Sequence, residues 1–487
     1  MSSRHTKRKT TALKRRRTKI IATLGPSSST PAKIASLIDA GINLVRINMS
    51  HGDHEAHRKL IQRVRRAAVK ADLHIAVLMD LCGPKIRVGR FDGDGIQLVE
   101  GSRVIVTTRK VTGCDGLIPS QYKTLHKDVK KGETILLDDG KLCMRVLSVD
   151  GQDVSCQVIE GGWLSHHKGM NLPDSALSTA ALTAKDKKDV SFAVEMEVDF
   201  VALSFVRAAR DVEQLKRHLK KCGADIPVIS KIERPEAVTG IDDIILASDG
   251  IMVARGDLGI ELPAERVPLI QRDIIEKSRQ AGVPVIVATQ MLESMMTHSR
   301  PTRAEVTDVA GAALLSADAA MLSGETAAGQ YPLEAVKIMD KVLREVEQHQ
   351  WQEGTFASEA IANRGSKIQR IRESIAHAAV QLVLDLEVDA IIVPTHTGTT
   401  ARIVAAHRPL ALAIGVCNDL RVCRRMALHW GVVPFHYEDS GTSDWRAITQ
   451  KVADDTHLIG RQRDVLLVSG FNDDPALNEP VLKLMHL

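Results

Sequence analysis

The feature that most constrains this chain is a rhythm. A short run rich in β-branched and aliphatic residues, then a turn, then an amphipathic stretch, recurs eight times with one interruption. TKIIATLG (18–25), LVRINMS (44–50) and IAVLMDL (75–81) open the series. After KGMNLPD (168–174) it resumes with DFVALSFV (199–206), PVISKIE (227–233), GIMVARGD (250–257), PVIVATQM (284–291) and DAAMLSGE (318–325). Eight strand–helix units close into a (β/α)8 barrel more naturally than they spread into an open sheet. Aromatic residues make up only 3% of the chain, so its core must be Ala, Val, Ile and Leu, which suits buried parallel strands. The predicted barrel covers 18–87 and 170–345. Residues 88–169 alternate short strands and turns and read as an inserted small β domain. Residues 346–366 are polar and irregular, a linker by composition. Beyond it, 367–487 reads as an open-sheet α/β domain with strands DAIIVPT, LALAIGV, GVVPFHY and DVLLVSG.

Charge and cysteine usage exclude several classes. Nine of the lysines and arginines fall in residues 1–19, which hold no acid; setting those nine against the whole-chain +5 leaves the remainder at −4. The tail, taken as 1–17, carries no aromatic or apolar interleaving, so it reads as a solvated, frayed terminus, with nucleic-acid binding unlikely. No apolar segment follows those charges, and no run is long enough to span a bilayer, so neither secretion nor membrane insertion is expected. The seven cysteines are scattered without a CxxC pair, which points to reduced thiols in a cytoplasm and away from a zinc site.

In a (β/α)8 barrel, chemistry sits at the C-terminal ends of the strands. Those ends here carry Arg46, Asn48, Ser50, His51, Asp80, Lys85, Arg87, Lys231, Glu233, Asp257, Thr289, Ser323 and Glu325. Lys231 and Glu233 stand two apart and so leave the same face of a strand. A cation with two carboxylates, Glu233 and Asp257, suits Mg²⁺ (or Mn²⁺) and a phosphorylated or enolic substrate. Arg46 suits a bidentate phosphate contact. Gly256 and Asp257 precede a helix start, whose free N–H groups can hold an anion. Neither a Walker loop nor a GxGxxG turn opening a helix occurs, so any nucleotide is held by another device.

The stretches TKIIATLGP, LVRINMSHG, MDLCGPKIR, KGMNLP, ISKIERPEAV, MVARGDLGIE, ATQMLESM, RPTRAEVTDVA and AAMLSGETAAGQYP resemble, in order and spacing, those of the pyruvate kinase family. The likeness is strong over 17–345 and looser over 367–487. It implies transfer of the phosphoryl group of phosphoenolpyruvate to ADP, giving pyruvate and ATP, with Mg²⁺. By resemblance Arg46 holds the substrate phosphate and Lys231 stabilises the transferring group. Glu233 and Asp257 bind the metal, and Gly256, Asp257 and Thr289 face the carboxylate and methylene end. Asn48, His51, Arg87 and Lys168 match nucleotide-contacting positions. Thr289 with Ser323 would help water deliver a proton to the enolate. The inserted β domain looks like the family's lid, and family members are usually homotetramers.

The chain departs from the pattern at DLCGPKIR. Many family members have an acidic residue where Lys85 stands, and need K⁺ held at positions matching Asn48, Ser50, Asp80 and Leu81. An ammonium of Lys85 beside Asp80 would stand in for K⁺, and Leu81 replaces the usual Thr, so activity without K⁺ is expected. Cys82 matches neither common form. In the last domain, PTHTGTTAR resembles the effector loop; Thr395, Thr397, Gly398, Thr399 and Thr400 would suit a phosphate. The acidic GFNDDPALN loop disfavours a second phosphate, leaving a sugar monophosphate or AMP. Two other readings stay open on sequence: a metal-dependent aldolase or lyase acting on pyruvate enolate, and a polyanion-binding protein using the basic tail.

Overall fold

The computed structural model describes residues 15–175, 177–356, 367–438, 444–457, 459, 464–471 and 478–487. Eight parallel strands close into a barrel: β1 (Lys19–Thr23), β2 (Leu44–Asn48), β3 (Ala76–Asp80), β4 (Phe200–Leu203), β5 (Val228–Ile232), β6 (Gly250–Ala254), β7 (Val285–Ala288) and β8 (Ala319–Leu322). Each pairs with its neighbours in sequence, and β8 closes on β1. Helices follow because the stretches between strands carry caps and one apolar face. The Thr183 hydroxyl takes the Asp186 N–H while Asp186 bonds back, and Thr302 and Glu305 do the same.

The barrel bore is filled by alternate residues of the strands: Ile21, Leu44, Leu78, Ala202, Ile229, Met252, Ile286 and Met321 all lie in one buried cluster. Side chains on a strand repeat every two residues. Advancing two positions from Ile21, Leu44, Leu78, Ala202 and Ile229 gives Thr23, Arg46, Asp80, Ser204 and Lys231. The apolar bore therefore ends, at its C-terminal rim, in a polar layer built from the same inward-facing columns. Its floor is closed by Leu428 of the last domain, fully buried in the same cluster.

Between β3 and β4 the inserted domain forms a six-stranded sheet and a two-stranded ribbon, with its own apolar core around Val106, Ile118, Met144 and Val158. The last domain has a five-stranded sheet. β9 (Ala390–Pro394), β10 (Leu412–Cys417), β11 (Val432–His436) and β12 (Asp464–Ser469) are parallel, and β13 (Val481–His486) runs antiparallel on β12. The sequence reading missed β13; as an edge strand it is mostly exposed, so its apolar residues follow no strict burial pattern.

Two expectations are corrected. The presumed linker is helical over its first part, because the helix Pro332–Glu353 runs through it and stops at Gly354, with φ 68°. Its polar Glu347 is buried because its two carboxylate oxygens accept the backbone N–H groups of Arg17 and Thr18, each at 2.6 Å. The rest of that stretch, 357–366, lies outside the described residues, as do 1–14 of the tail. The second correction concerns the tail itself, whose last residues are not solvated. Arg16 is buried, donating to Gly41 O and Asn43 Oδ1 at 2.7 Å each, and Arg17 reaches Leu410 O at 2.9 Å. These arginines seam the barrel floor to the last domain. Arg408 adds to the seam: it is buried against Asp318, 3.0 Å away, and lies 5.1 Å over the Trp430 ring.

Lys19 is also in the seam, donating to Val432 O at 2.7 Å. Burial, with Arg16, Arg15 and Arg17 nearby, pulls its pKa down to about 7. Unfolded lysine holds its proton up to about pH 10.4, so between about pH 7 and pH 10 the unfolded chain binds more protons and stability rises with pH. The unfolding midpoint is expected to climb from about pH 7 to about pH 9, and to climb less in Lys19→Met. An equal rise in both proteins, followed by circular dichroism, would refute this role.

Candidate active site

The polar layer converges on the Lys231 ammonium. It lies 2.7 Å from Glu233 Oε1, 3.4 Å from Asp80 Oδ1, and donates to Ser204 Oγ at 2.7 Å. Asp80 turns its other oxygen to Arg46, with Nε at 2.7 Å, and Arg46 also donates to Thr23 Oγ1 at 3.2 Å. Asp80 and Glu233 are each 1% exposed. Burial alone would raise the Asp80 pKa, but the charges of Lys231 and Arg46 outweigh it and hold the carboxyl below its usual range. Burial likewise opposes charge on Lys231, yet Asp80 and Glu233 raise its pKa, so it stays an ammonium. Glu233 moves the other way: burial raises it and the Asp257 charge adds, against the pull of Lys231. Glu233 is thus a carboxylate short of positive charge.

Neighbouring strand ends complete the rim. Asp257 sits in the helix Arg255–Glu261 directly after β6, close enough to act electrostatically on both Lys231 and Glu233. Thr289, after β7, has φ 66°, a conformation that costs a β-branched residue about 1–3 kcal/mol. It is held there by its hydroxyl, which accepts the Gly256 N–H at 2.7 Å and donates to Ala288 O at 2.6 Å. Ser323 follows β8, and its hydroxyl is buried without a hydrogen-bond partner. Glu325 is fully buried and accepts the Ser323 N–H at 2.7 Å and the Leu292 N–H at 3.0 Å, so it shapes this loop. After β2, Asn48 accepts the Ser50 N–H at 3.1 Å, and His51 is exposed.

At the lid junction, Arg87 donates to His167 O at 2.9 Å, and Lys168 pairs with Asp138 at 2.7 Å. Here the expected Lys85–Asp80 contact is corrected. Lys85 is exposed and lines a small cleft with Asp139, Asn171, Asp257 and Glu261. No ion pair joins it to Asp80 among the described residues; Arg46 and Lys231 take that carboxylate instead. The reason is the turn Gly83–Pro84, which carries the chain outward toward the lid.

The effector-loop residues lie in the last domain. Thr395 Oγ1 accepts the Gly398 N–H at 2.9 Å, and the Thr397 and Thr399 hydroxyls bond to each other at 2.8 Å. Gly398 has φ 82°, and an added Cβ would stand 3.2 Å from Met426, so only glycine fits this turn into the helix Thr399–Ala406. Thr400, the second residue of that helix, is buried, whereas Thr397 is exposed. Residues 472–477 of the acidic loop lie outside the described residues.

Sequence reasoning missed Ser204, Phe205, Thr23 and Arg234. Phe205 adopts φ 54° and donates its N–H to Glu233 Oε2 at 2.8 Å. Arg234, buried, pairs with Glu261 at 2.9 Å and donates to Leu172 O and Ser175 O where the lid returns to the barrel. The signal for Ser204 and Thr23 was the two-residue period of their strands.

Family models for "Pyruvate kinase, barrel domain" and "Pyruvate kinase, alpha/beta domain" match residues 15–336 and 373–476. The chain belongs to the pyruvate kinase family. As an enzyme of that family it has its candidate active site at the rim described above. It is 43% identical to a pyruvate kinase of Thermococcus litoralis, over 87% of this chain and 89% of that one. A pyruvate kinase of Geobacillus stearothermophilus is 43% identical over 88% of this chain and 73% of its own length. Among solved structures, a pyruvate kinase from Cryptosporidium parvum superposes with a TM-score of 0.89 at 35% identity, covering 97% of this chain and 96% of that one.

Asp80 is the shared counter-charge of a buried cation, Lys231, and a partly buried one, Arg46. In Asp80→Asn, Arg46 loses its partner while Lys231 keeps Glu233. A loss of about 3 kcal/mol of stability in urea titration is expected, since breaking a buried pair leaves an uncompensated charge. An unchanged midpoint would show that the pair contributes nothing.

Proposed function

We infer that the chain transfers the phosphoryl group of phosphoenolpyruvate to ADP, yielding pyruvate and ATP as a glycolytic enzyme. The observation that carries this reading is the Lys231 ammonium, buried between Asp80 and Glu233, with Arg46 on the other side of Asp80. Phosphoryl transfer asks a protein for little covalent chemistry; it needs positioning, and positive charge facing the migrating oxygens. Lys231 supplies that charge, and Arg46 presents a planar fork to the substrate phosphate.

Glu233 and Asp257 fit Mg²⁺, or Mn²⁺ of the same charge. They are two converging carboxylates, one of them buried and short of positive charge. Mg²⁺ is commonly bound through one or two carboxylates, with water and substrate oxygens completing its shell. When bound, the ion neutralises charge on the phosphoryl group and the enolate oxygen. Gly256, Asp257 and Thr289 border the carboxylate and methylene end of the substrate. Ser323 brings an unpartnered hydroxyl, and with Thr289 it orders the water that protonates the enol carbon. Asn48, His51, Arg87 and Lys168 receive the nucleotide, for which Lys168 must leave Asp138 as the lid closes and excludes water.

Activity without K⁺ remains part of this reading, with Leu81 as before but without the Lys85–Asp80 contact. Asp80 is already neutralised by Arg46 and Lys231, and Leu81 is a buried aliphatic residue with no side-chain oxygen to offer a cation. A sugar monophosphate or AMP is the proposed activator. Its support is the exposed Thr397 hydroxyl, paired with Thr399 at a helix start. A homotetramer in the cytoplasm completes the reading. Among the described residues no helix is long and apolar enough to cross a membrane.

Pyruvate release followed through lactate dehydrogenase is expected to require both phosphoenolpyruvate and ADP; release without ADP would sink the reading. In the same assay Lys231→Met is expected to lower kcat by about 10²–10³-fold or more while the protein stays folded. Replacing tetramethylammonium by K⁺ at constant ionic strength should change the rate little. A large stimulation would reject the account of Asp80 and Leu81.

A further inference from the structure

We propose that Ser204 is a positioning residue for phosphoryl transfer, holding the Lys231 ammonium in place without neutralising it. The inference rests on the reading that Lys231 acts on the transferring group.

A lysine ammonium has three N–H donors to place. Two of the contacts to Lys231 are short: Glu233 Oε1 and Ser204 Oγ, both at 2.7 Å. The third, Asp80 Oδ1, is at 3.4 Å, beyond a good hydrogen bond. The two carboxylates are shared, Asp80 with Arg46 and Glu233 with the backbone N–H of Phe205 and, on the reading above, with a divalent cation. Once a cation draws on Glu233, the attraction between Glu233 and Lys231 weakens. Ser204 is then the one close partner of Lys231 that no other charge competes for.

The direction of the Ser204 hydroxyl is set by its surroundings. Its single proton goes to Leu81 O at 2.8 Å, leaving its lone pairs to the ammonium; the alternative acceptor, Asp80 Oδ1, is 3.4 Å away. Ser204 is 2% exposed, so water does not compete for these bonds. A neutral acceptor also leaves the full positive charge of Lys231 to the phosphoryl oxygens, whereas a third carboxylate there would repel them.

The same turn serves the metal side. Phe205, with φ 54°, aims its N–H at Glu233, so consecutive residues fix the ammonium and the carboxylate. Gly83, at the start of the lid, is pressed against this turn: an added Cβ would lie 2.9 Å from the Phe205 ring and 3.1 Å from Ser204 Cβ. The entry segment of the lid therefore backs the turn that positions Lys231.

The test compares Ser204→Ala, Ser204→Thr and Lys231→Met in the full-length enzyme, with kcat, KM for phosphoenolpyruvate and thermal unfolding measured for each. A hydrogen bond to a charged group that tightens in the transition state predicts a kcat about 10- to 100-fold lower in Ser204→Ala. KM should stay within about threefold, because a bond that tightens in the transition state is lost from kcat, while the unfolding midpoint falls in Ser204→Ala, where a buried hydrogen bond is lost, and recovers in Ser204→Thr. Ser204→Thr keeps the hydroxyl and should recover most of the rate. Wild-type kcat in Ser204→Ala, or equal losses in the Ala and Thr variants, would overturn the proposal while Lys231→Met still shows Lys231 to be required. An active Lys231→Met would instead overturn the reading of the site and this inference with it.

Discussion

A buried ammonium held between two buried carboxylates is the arrangement on which the rest of this molecule depends. Such a group is costly to bury unless it is paired and hydrogen-bonded. Lys231 meets that condition through Glu233, Asp80 and Ser204, supplied by three different strands or strand ends. Bringing them together requires β3, β4 and β5 to lie side by side, since β3 meets β5 only through β4. The charge cluster therefore depends on the pairing of these three neighbouring strands. The field it makes is uneven: Arg46 and Lys231 hold the Asp80 carboxyl below its usual range, whereas burial and the Asp257 charge push Glu233 up against the pull of Lys231.

Much of this was legible in the residues, for a physical reason. Parallel strands buried on both faces must be aliphatic, so a polar residue at the end of such a run stands out. Arg46, Asp80, Lys231, Glu233, Asp257, Thr289 and Ser323 were visible in that way. Ser204 and Thr23 were not, since small hydroxyl residues are unremarkable in strands; only the inward register of Ala202 and Ile21 identifies them. Phe205 contributes through its backbone, which side-chain identity does not reveal.

Where reading failed, local character was taken for solvent exposure. Arg16 and Arg17 belong to a basic run, yet they are buried, because free carbonyls and the Asn43 side chain at the barrel floor need donors. Glu347 looked like linker and instead caps the incoming chain. Lys85 is the opposite case: the family pattern set it beside Asp80, but it is exposed, because the Gly83–Pro84 turn redirects the chain within a few residues. For Arg16, Arg17 and Glu347 a long-range partner, invisible in a local window, decided the outcome.

Leu428 belongs to one domain by sequence and to another by packing. It stops the lower end of a bore whose upper end carries Asp80 and Lys231, and it shares one apolar column with Leu78 and Ala202. Cutting the chain before the last domain would uncork that column, letting water reach aliphatic side chains beneath the candidate site. The last domain is thus a stopper for the catalytic vessel as well as its neighbour, and any tilt of it presses first on the axis of the barrel.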